Sequence, residues 1–249
     1  MNKKKADIHE IYENNANHIK LIIMFLLSVV VLTIATQGAF SFKQMGLVAY
    51  LFPEMGVLAL GMMLAMISGG IDLTVVAVAD LSGILSCMFM KMIMPASASV
   101  AVQVVVLRLT LVVALMIGAV CGIFSGTLIS RIGVPAMVAT LGASDIILGL
   151  AVGITNGSSV KELPPILNQV VNYKIFGIIP VTTVVFAVCA GSVAFLLYKT
   201  SLGFKIYMIG SNKEASRFSG VDNAKVLTLT YMISGMLASV SGLLMCGHF

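Results

Sequence analysis

Charged residues are scarce in this sequence. Asp, Glu, Lys and Arg make up 10% of the 249 residues and hydrophobic residues make up 59%, whereas soluble domains carry about 25% charged residues. The sequence also lacks the series of short alternating segments that builds an outer-membrane barrel. With a mean hydropathy of +1.07, this composition predicts an integral membrane protein made of α-helices.

Signatures of catalysis, ATP binding and metal binding are also lacking. No Gly-Lys pair occurs, so there is no P-loop, and neither HExxH nor GxSxG is present. The histidines lie near the two termini and the cysteines have neither metal nor redox spacing: His9, His18, His248, Cys87, Cys121, Cys189 and Cys246. We interpret the cysteines as small buried hydrophobes. We expect no enzyme activity, cofactor or metal, so the energy for any work must come from outside the chain.

Seven apolar runs have the length of a transmembrane helix, about 20 residues. They lie near residues 20–37, 47–67, 71–94, 109–130, 134–154, 180–198 and 226–246. The fold class is therefore all-α, a polytopic membrane helix bundle with about seven transmembrane helices. An alternative interpretation of the block 47–94 is one broken helix followed by one full helix.

The lysines and arginines favour one orientation. With the N-terminus in the cytoplasm and the spans alternating, the cytoplasmic side holds ten of the 15 cations: Lys3, Lys4, Lys5, Lys20, Arg131, Lys199, Lys205, Lys213, Arg217 and Lys225. The positive-inside rule favours this arrangement over its mirror image. It gives a cytoplasmic tail, 1–19, and a membrane domain, 20–249, with a cytoplasmic loop at 199–225. The net charge of +5 therefore reflects topology and does not indicate nucleic-acid binding.

Four carboxylates lie in or beside the apolar spans: Glu54, Asp72, Asp80 and Asp145. An ionised group in hydrocarbon costs on the order of 3 kcal/mol, so such residues face a bundle interior or an aqueous path. Together with Gly69 and Gly70 they are our candidate residues of a translocation path. The alternative is structural. Asp72 follows the Gly-Gly helix break and is placed to cap the next helix, and Asp145 is expected in a close helix contact.

Small residues recur at four-residue spacing on several spans. The stripes are Gly118, Gly122 and Gly126; Gly149 and Gly153; and Ser234, Ala238 and Gly242. Small residues let membrane helices approach closely, so the stripes predict tight helix packing.

The longest polar interruption in the apolar part of the sequence covers residues 200–225. Ser211 and Glu214 have the spacing of a capping box, and Gly220 supplies the positive φ that ends a helix. We predict a two-turn helix with Ala215 and Phe218 on one face. An apolar face outside the membrane needs cover, either from the protein's own membrane domain or from a second protein.

Three stretches carry landmarks of a known family, in the family's order. GGIDL lies within 67–85; Pro, Thr-Leu-Gly and Asn-Gly occur within 132–157; and Thr-x-x-Gly, Gly-x-Asn, Ser-Gly-Val and Tyr-x-x-Ser-Gly follow within 199–244. Together they resemble the permease subunits of ribose-type (monosaccharide) ABC importers.

The resemblance implies a set of partners in a bacterial inner membrane. Two permease subunits, identical or different, would form the pathway, a periplasmic binding protein would deliver the sugar, and ATP-binding subunits would dock on the cytoplasmic loop. The coupling helix that contacts the ATPase would comprise Gly210, Asn212, Glu214, Ala215, Phe218, Ser219 and Gly220, with Ala215 and Phe218 entering a groove on the ATPase.

The sequence departs from the family pattern in two places, and other interpretations remain open. Thr74-Val75-Val76 stands where the family has Ser-Val-Gly, and the family continues past Phe249 with about two or three more spans, so this sequence is short at its C-terminus. The resemblance leaves the solute open among ribose, other pentoses or hexoses, a furanose and autoinducer-2, with nucleosides as a more distant option. Interpretations from other classes are a proton-coupled secondary transporter, an intramembrane protease built on Asp80 and Asp145, and a non-transporting structural remnant.

Overall fold

In a computed structural model, residues 19–34, 42–95, 98–158, 160, 164–175, 177 and 179–248 are described. The protein divides into two units, Met1–Val48 and Ala49–Phe249. The helices are α1 Ile19–Ile34, α2 Phe42–Ile67, α3 Val75–Ile93, α4 Val100–Thr127, α5 Ala136–Thr155, α6 Pro165–Val171, α7 Val181–Lys199, α8 Ser201–Ser211, α9 Lys213–Phe218 and α10 Asn223–His248. A π-helical turn, Leu128–Ile132, extends α4, and two short antiparallel strands, β1 Lys174–Ile175 and β2 Ile179–Pro180, precede α7.

Six helices in the described residues are long and apolar enough to cross a membrane, which confirms the all-α membrane bundle. The run 47–94 forms two helices, α2 and α3, separated by the non-helical residues 68–74. The predicted span 20–37 is helical over Ile19–Ile34, which is shorter than the other six, and residues 35–37 lie outside the described ranges. The tail 1–18 also lies outside them.

The span predicted at 109–130 begins earlier than expected. Helix α4 starts at Val100, because the helix continues through Arg108 with that side chain on its exposed side. Arg108 therefore set the N-terminal limit of the apolar run in the sequence, although the helix itself begins eight residues earlier.

Helix α10 lies at the centre of the second unit and packs against α3 and α4. Glycines make these contacts close. A Cβ on Gly118 would collide with the Gly235 carbonyl, and one on Gly122 with the Tyr231 carbonyl. A Cβ on Gly242 would collide with Ala79 of α3. The packing predicted from the Gly118 and Ser234 stripes is therefore confirmed.

The polar interruption holds two helices where one was predicted. Helix α8 buries Ile206 and Ile209 against Val226 and Leu227 of α10. Its start is fixed at Thr200, whose side chain accepts a hydrogen bond from the Gly203 amide. Part of this polar stretch is therefore covered by the protein's own membrane helices, and α9 follows as a separate short helix.

Candidate functional site

The link between α2 and α3 is held by Asp72. Helix α2 ends at Ile67 and Gly69 adopts φ +86°, a left-handed conformation that glycine accommodates readily. Asp72 is 1% exposed. Its Oδ1 accepts hydrogen bonds from the Thr74 amide and hydroxyl, and its Oδ2 accepts one from Ser234 Oγ at 2.7 Å. Asp72 thus precedes α3 as an Asx-turn and ties the link to α10.

A cleft of about 350 Å³ lies beside this link. Gly69 and Gly70 line it, with Pro135 before α5, Gly210 at the end of α8, and Tyr231. The hydroxyl of Tyr231 is buried and has no hydrogen-bond partner among the described residues. A Cβ on Gly210 would collide with the Ile67 carbonyl, so the end of α8 abuts the end of α2 directly.

Helix α9 is fixed to the start of α10 by a small polar network. Ser216 is buried, and its single hydroxyl proton is shared between the Lys213 carbonyl oxygen at 2.8 Å and Asn223 Oδ1 at 2.9 Å. The Asn223 amide donates to the same Lys213 carbonyl at 2.8 Å. Gly220 has φ +81° and ends the segment as predicted. The six-residue helix is therefore held in place by contacts on its inner side.

The predicted capping box at Ser211 and Glu214 is wrong. Asn212 is the N-cap, and its Oδ1 accepts a hydrogen bond from the Ala215 amide at 2.9 Å. Ser211 belongs to the last turn of α8, where its hydroxyl donates to the Met208 carbonyl. Because α8 runs up to Ser211, that residue is unavailable to α9. Asparagine is as good a cap as serine, so this alternative was visible in the sequence.

The outer side of α9 presents apolar surface. Phe218 is 87% exposed, and Ala215 is exposed on the same short helix. Next to them a cleft of about 370 Å³ is lined by charged and polar residues of the neighbouring segments: Ser130, Lys213, Glu214, Arg217, Asp222 and Asn223. Gly210 and Ser219, the other predicted members of the coupling segment, lie at the end of α8 and just after α9.

Glu54 is paired inside the bundle. The side chain is buried and its Oε1 lies 2.7 Å from His248 Nε2, while the His248 ring packs against Tyr50 with ring centroids 4.2 Å apart. Ser241 donates to the Glu54 carbonyl at 2.9 Å. His248 was missed as a partner because nothing in the local sequence brings the end of α10 to α2.

Asp80 and Asp145 have different surroundings. Asp80 is exposed within a cleft of about 380 Å³ between α3, α5 and α10, which Leu148, Gly242 and Cys246 also line. We call it the Asp80 cleft. Asp145 is not among its lining residues.

The close helix contact predicted for Asp145 does not occur among the described residues. Asp145 is exposed, and a Cβ placed on Gly142, Gly149 or Gly153 of α5 would meet no atom within 4 Å. These four residues share one face of α5, as their spacing of three and four residues requires, and we call it the open face of α5. Gly149 and Gly153 do share one helix face, but no other described residue packs against it.

Within the described ranges no group of three or more His, Cys, Asp or Glu side chains is placed to hold a metal ion. The described residues form a multi-pass α-helical membrane protein with a non-helical link between two spans and a short helix outside them.

The chain belongs to the family described as "Branched-chain amino acid transport system / permease component", which matches residues 44–248. This match confirms the permease class that the resemblance indicated. The chain is 27% identical over 200 residues to the autoinducer 2 import system permease protein LsrD of Yersinia enterocolitica, and 25% identical over 200 residues to that of Photorhabdus laumondii. The alignments cover 78% of this chain but 57% and 56% of the relatives. No solved structure matches.

Proposed function

We propose that this chain is a permease subunit of an ABC importer that carries a small polar solute across a bacterial inner membrane. ATP hydrolysis is assigned to separate ATP-binding subunits, and delivery of the solute to a periplasmic binding protein. The solute is a monosaccharide or autoinducer-2, the compound named for the relatives. The N-terminus is cytoplasmic, as the distribution of cations favours.

The observation that carries the proposal is the exposure of Phe218 on α9. A phenylalanine that is 87% exposed on a helix outside the spans leaves a large apolar side chain in water, which is unfavourable unless a partner covers it. The bonds of Ser216 and Asn223 hold this helix against α10. A fixed helix with an exposed aromatic side chain suits the anchor of a protein–protein interface, and we assign the ATP-binding subunit to it.

The translocation path is assigned to the open face of α5 together with the Asp80 cleft and the cleft at Gly69 and Gly70. Asp145 stands on a glycine face that the described residues leave uncovered. A carboxylate is costly against lipid but favourable in an aqueous path. A second permease subunit facing α5 would enclose such a path. Glu54 and Asp72 make contacts inside the bundle, with His248 and Ser234. We therefore assign them a structural role beside the path.

Co-purification with a co-expressed ATP-binding subunit tests the proposal. We expect wild type to retain the subunit in detergent and Phe218→Glu to lose it, because burying a charge in an apolar groove costs several kcal/mol. Met92→Glu is the matched control, since Met92 is also 87% exposed but lies at the far end of α3. If Phe218→Glu binds as well as wild type, α9 is not the docking site.

Uptake measurements separate this proposal from a proton-coupled transporter that uses Asp80 and Asp145. We expect solute uptake to stop when the ATP-binding subunit is deleted. Uptake that persists without that subunit, and that falls in Asp80→Asn or Asp145→Asn, would favour the proton-coupled mechanism.

A further inference from the structure

Two of the four cysteines face each other across the contact between α3 and α10. A Cβ on Gly83 would stand 2.8 Å from Cys246 Sγ and 3.0 Å from the Gly242 carbonyl oxygen. One turn further along each helix, Cys87 and Cys246 belong to one packed cluster. Sequence patterns do not reveal this pair, because its members lie on helices that are distant in the sequence.

Close packing of α3 against α10 brings the two cysteines into one cluster. Contacts run in the same order along both helices, from Ala79 with Gly242 to Gly83 with Cys246, so α3 and α10 are parallel here. Gly83 and Gly242 let the two backbones approach closely. A disulfide needs Cα atoms about 4.4–6.8 Å apart, a distance that closely packed helices reach only where small residues lie at the contact.

The two thiols differ in access. Cys87 is 1% exposed, whereas Cys246 is partly exposed and lines the Asp80 cleft. A reagent that enters this cleft therefore meets Cys246 first, with Cys87 directly behind it. The other two cysteines, Cys121 and Cys189, pack in two separate clusters and have no thiol partner among the described residues.

We propose that Cys246 and Cys87 form a redox-active dithiol, in which Cys246 reacts with a small disulfide in the Asp80 cleft and Cys87 resolves the product. The Cys246 thiolate attacks one sulfur of the small disulfide, which breaks its S–S bond and releases one thiolate. The Cys87 thiolate then attacks Cys246 Sγ, forms the Cys87–Cys246 bond and releases the second thiolate. The cysteine pair loses two electrons and two protons, and the small disulfide is reduced to two thiols.

The test uses the purified full-length protein in detergent with oxidised glutathione as the probe. We expect wild type to lose two thiols per molecule, with mass spectrometry locating one disulfide between Cys87 and Cys246. Dithiothreitol is expected to restore both thiols. The Cys121→Ser/Cys189→Ser double variant should react in the same way, because it keeps the pair.

Single variants separate the two roles. Cys87→Ser should stop at the mixed disulfide and carry one glutathione on Cys246, and Cys246→Ser should leave Cys87 reduced. Reacting variants are compared as monodisperse fractions, and Cys87→Ala serves as a second variant if Cys87→Ser aggregates. The proposal is overturned if Cys246 stays reduced in wild type, if its glutathione adduct persists there, or if Cys87 reacts in Cys246→Ser.

Discussion

Asp72 illustrates how a carboxylate is accommodated in a membrane protein. Its two oxygens accept hydrogen bonds from Thr74 and from Ser234, so the charge is met by donors from the protein itself. Buried polar groups are tolerated when they are satisfied in this way. The bond to Ser234 joins the link between α2 and α3 to α10, which makes Asp72 a structural clamp of the second unit.

Replacing Asp72 with alanine should therefore destabilise the protein. Asp72→Ala leaves the Thr74 amide and the Ser234 hydroxyl without partners, and hydrogen bonds to charged groups contribute about 1.5–3 kcal/mol each. We expect a clearly lower melting temperature for the detergent-purified variant. Asp145→Ala is the control, because the exposed Asp145 makes no comparable contact. Equal losses in the two variants would contradict the clamp.

The pairing of Glu54 with His248 shows why single residues are the hardest level to predict. The sequence marked Glu54 as an unusual intramembrane carboxylate, but a carboxylate in a path and a carboxylate in a buried pair look the same in a sequence. Only the packing of α2 against the end of α10 brings Nε2 of His248 to 2.7 Å from Oε1 of Glu54.

At the scale of elements, the N-terminus of α9 is capped by one side chain, that of Asn212. Its Ala215 amide is bonded to Asn212 Oδ1, and a helix of six residues is marginal without its caps and tertiary contacts. We expect Asn212→Ala to speed hydrogen exchange at the Ala215 amide about fivefold, which corresponds to roughly 1 kcal/mol for a lost N-cap.

Ser211→Ala should leave that exchange rate unchanged, because the Ser211 hydroxyl bonds within α8. Faster exchange at the Glu214 amide in Ser211→Ala, with no change at the Ala215 amide in Asn212→Ala, would restore the capping box expected from the sequence.

The glycine stripes of α4 and α5 give opposite predictions. Gly122 faces the Tyr231 backbone so closely that a Cβ would collide with it, whereas Gly149 has no atom within 4 Å. Gly122→Ala should lower the melting temperature of the protein. Gly149→Ala should leave it unchanged or slightly raised, because alanine is favoured over glycine in a helix by about 1 kcal/mol.

Gly149→Leu then tests the open face of α5 as the contact with a second permease subunit. We expect this variant to fold but to lose co-purification of two differently tagged copies, or of this protein with a different permease. Unchanged association would place the subunit contact elsewhere.

Most elements were predictable because they depend on local pattern. Long apolar runs identified the spans, and the Gly118 stripe identified a close contact that Gly235 fills. Two features could not be predicted from the sequence, for physical reasons. A polar stretch such as 200–211 becomes helix α8 because Ile206 and Ile209 are covered by α10, a tertiary effect. A stripe such as Gly149 and Gly153 predicts close packing but does not identify the molecule that packs there.

At the scale of the whole molecule, two exposed surfaces of the described part bear on the proposed assembly. One is the open face of α5, which carries Asp145, and the other is the apolar side of α9. The chain spans 57% of the length of its Yersinia enterocolitica relative. The proposed assembly assigns a second permease subunit to the first surface and an ATP-binding subunit to the second.

The most direct test of the central claim is site-specific photocrosslinking from α9 in cells. A photoreactive amino acid is placed at position 218 or, as the control, at position 92, with the ATP-binding subunit co-expressed. We predict a crosslink to the ATP-binding subunit from position 218 and none from position 92. No adduct with that subunit from position 218, while position 92 reacts with it, would contradict the assignment of α9 as the docking helix.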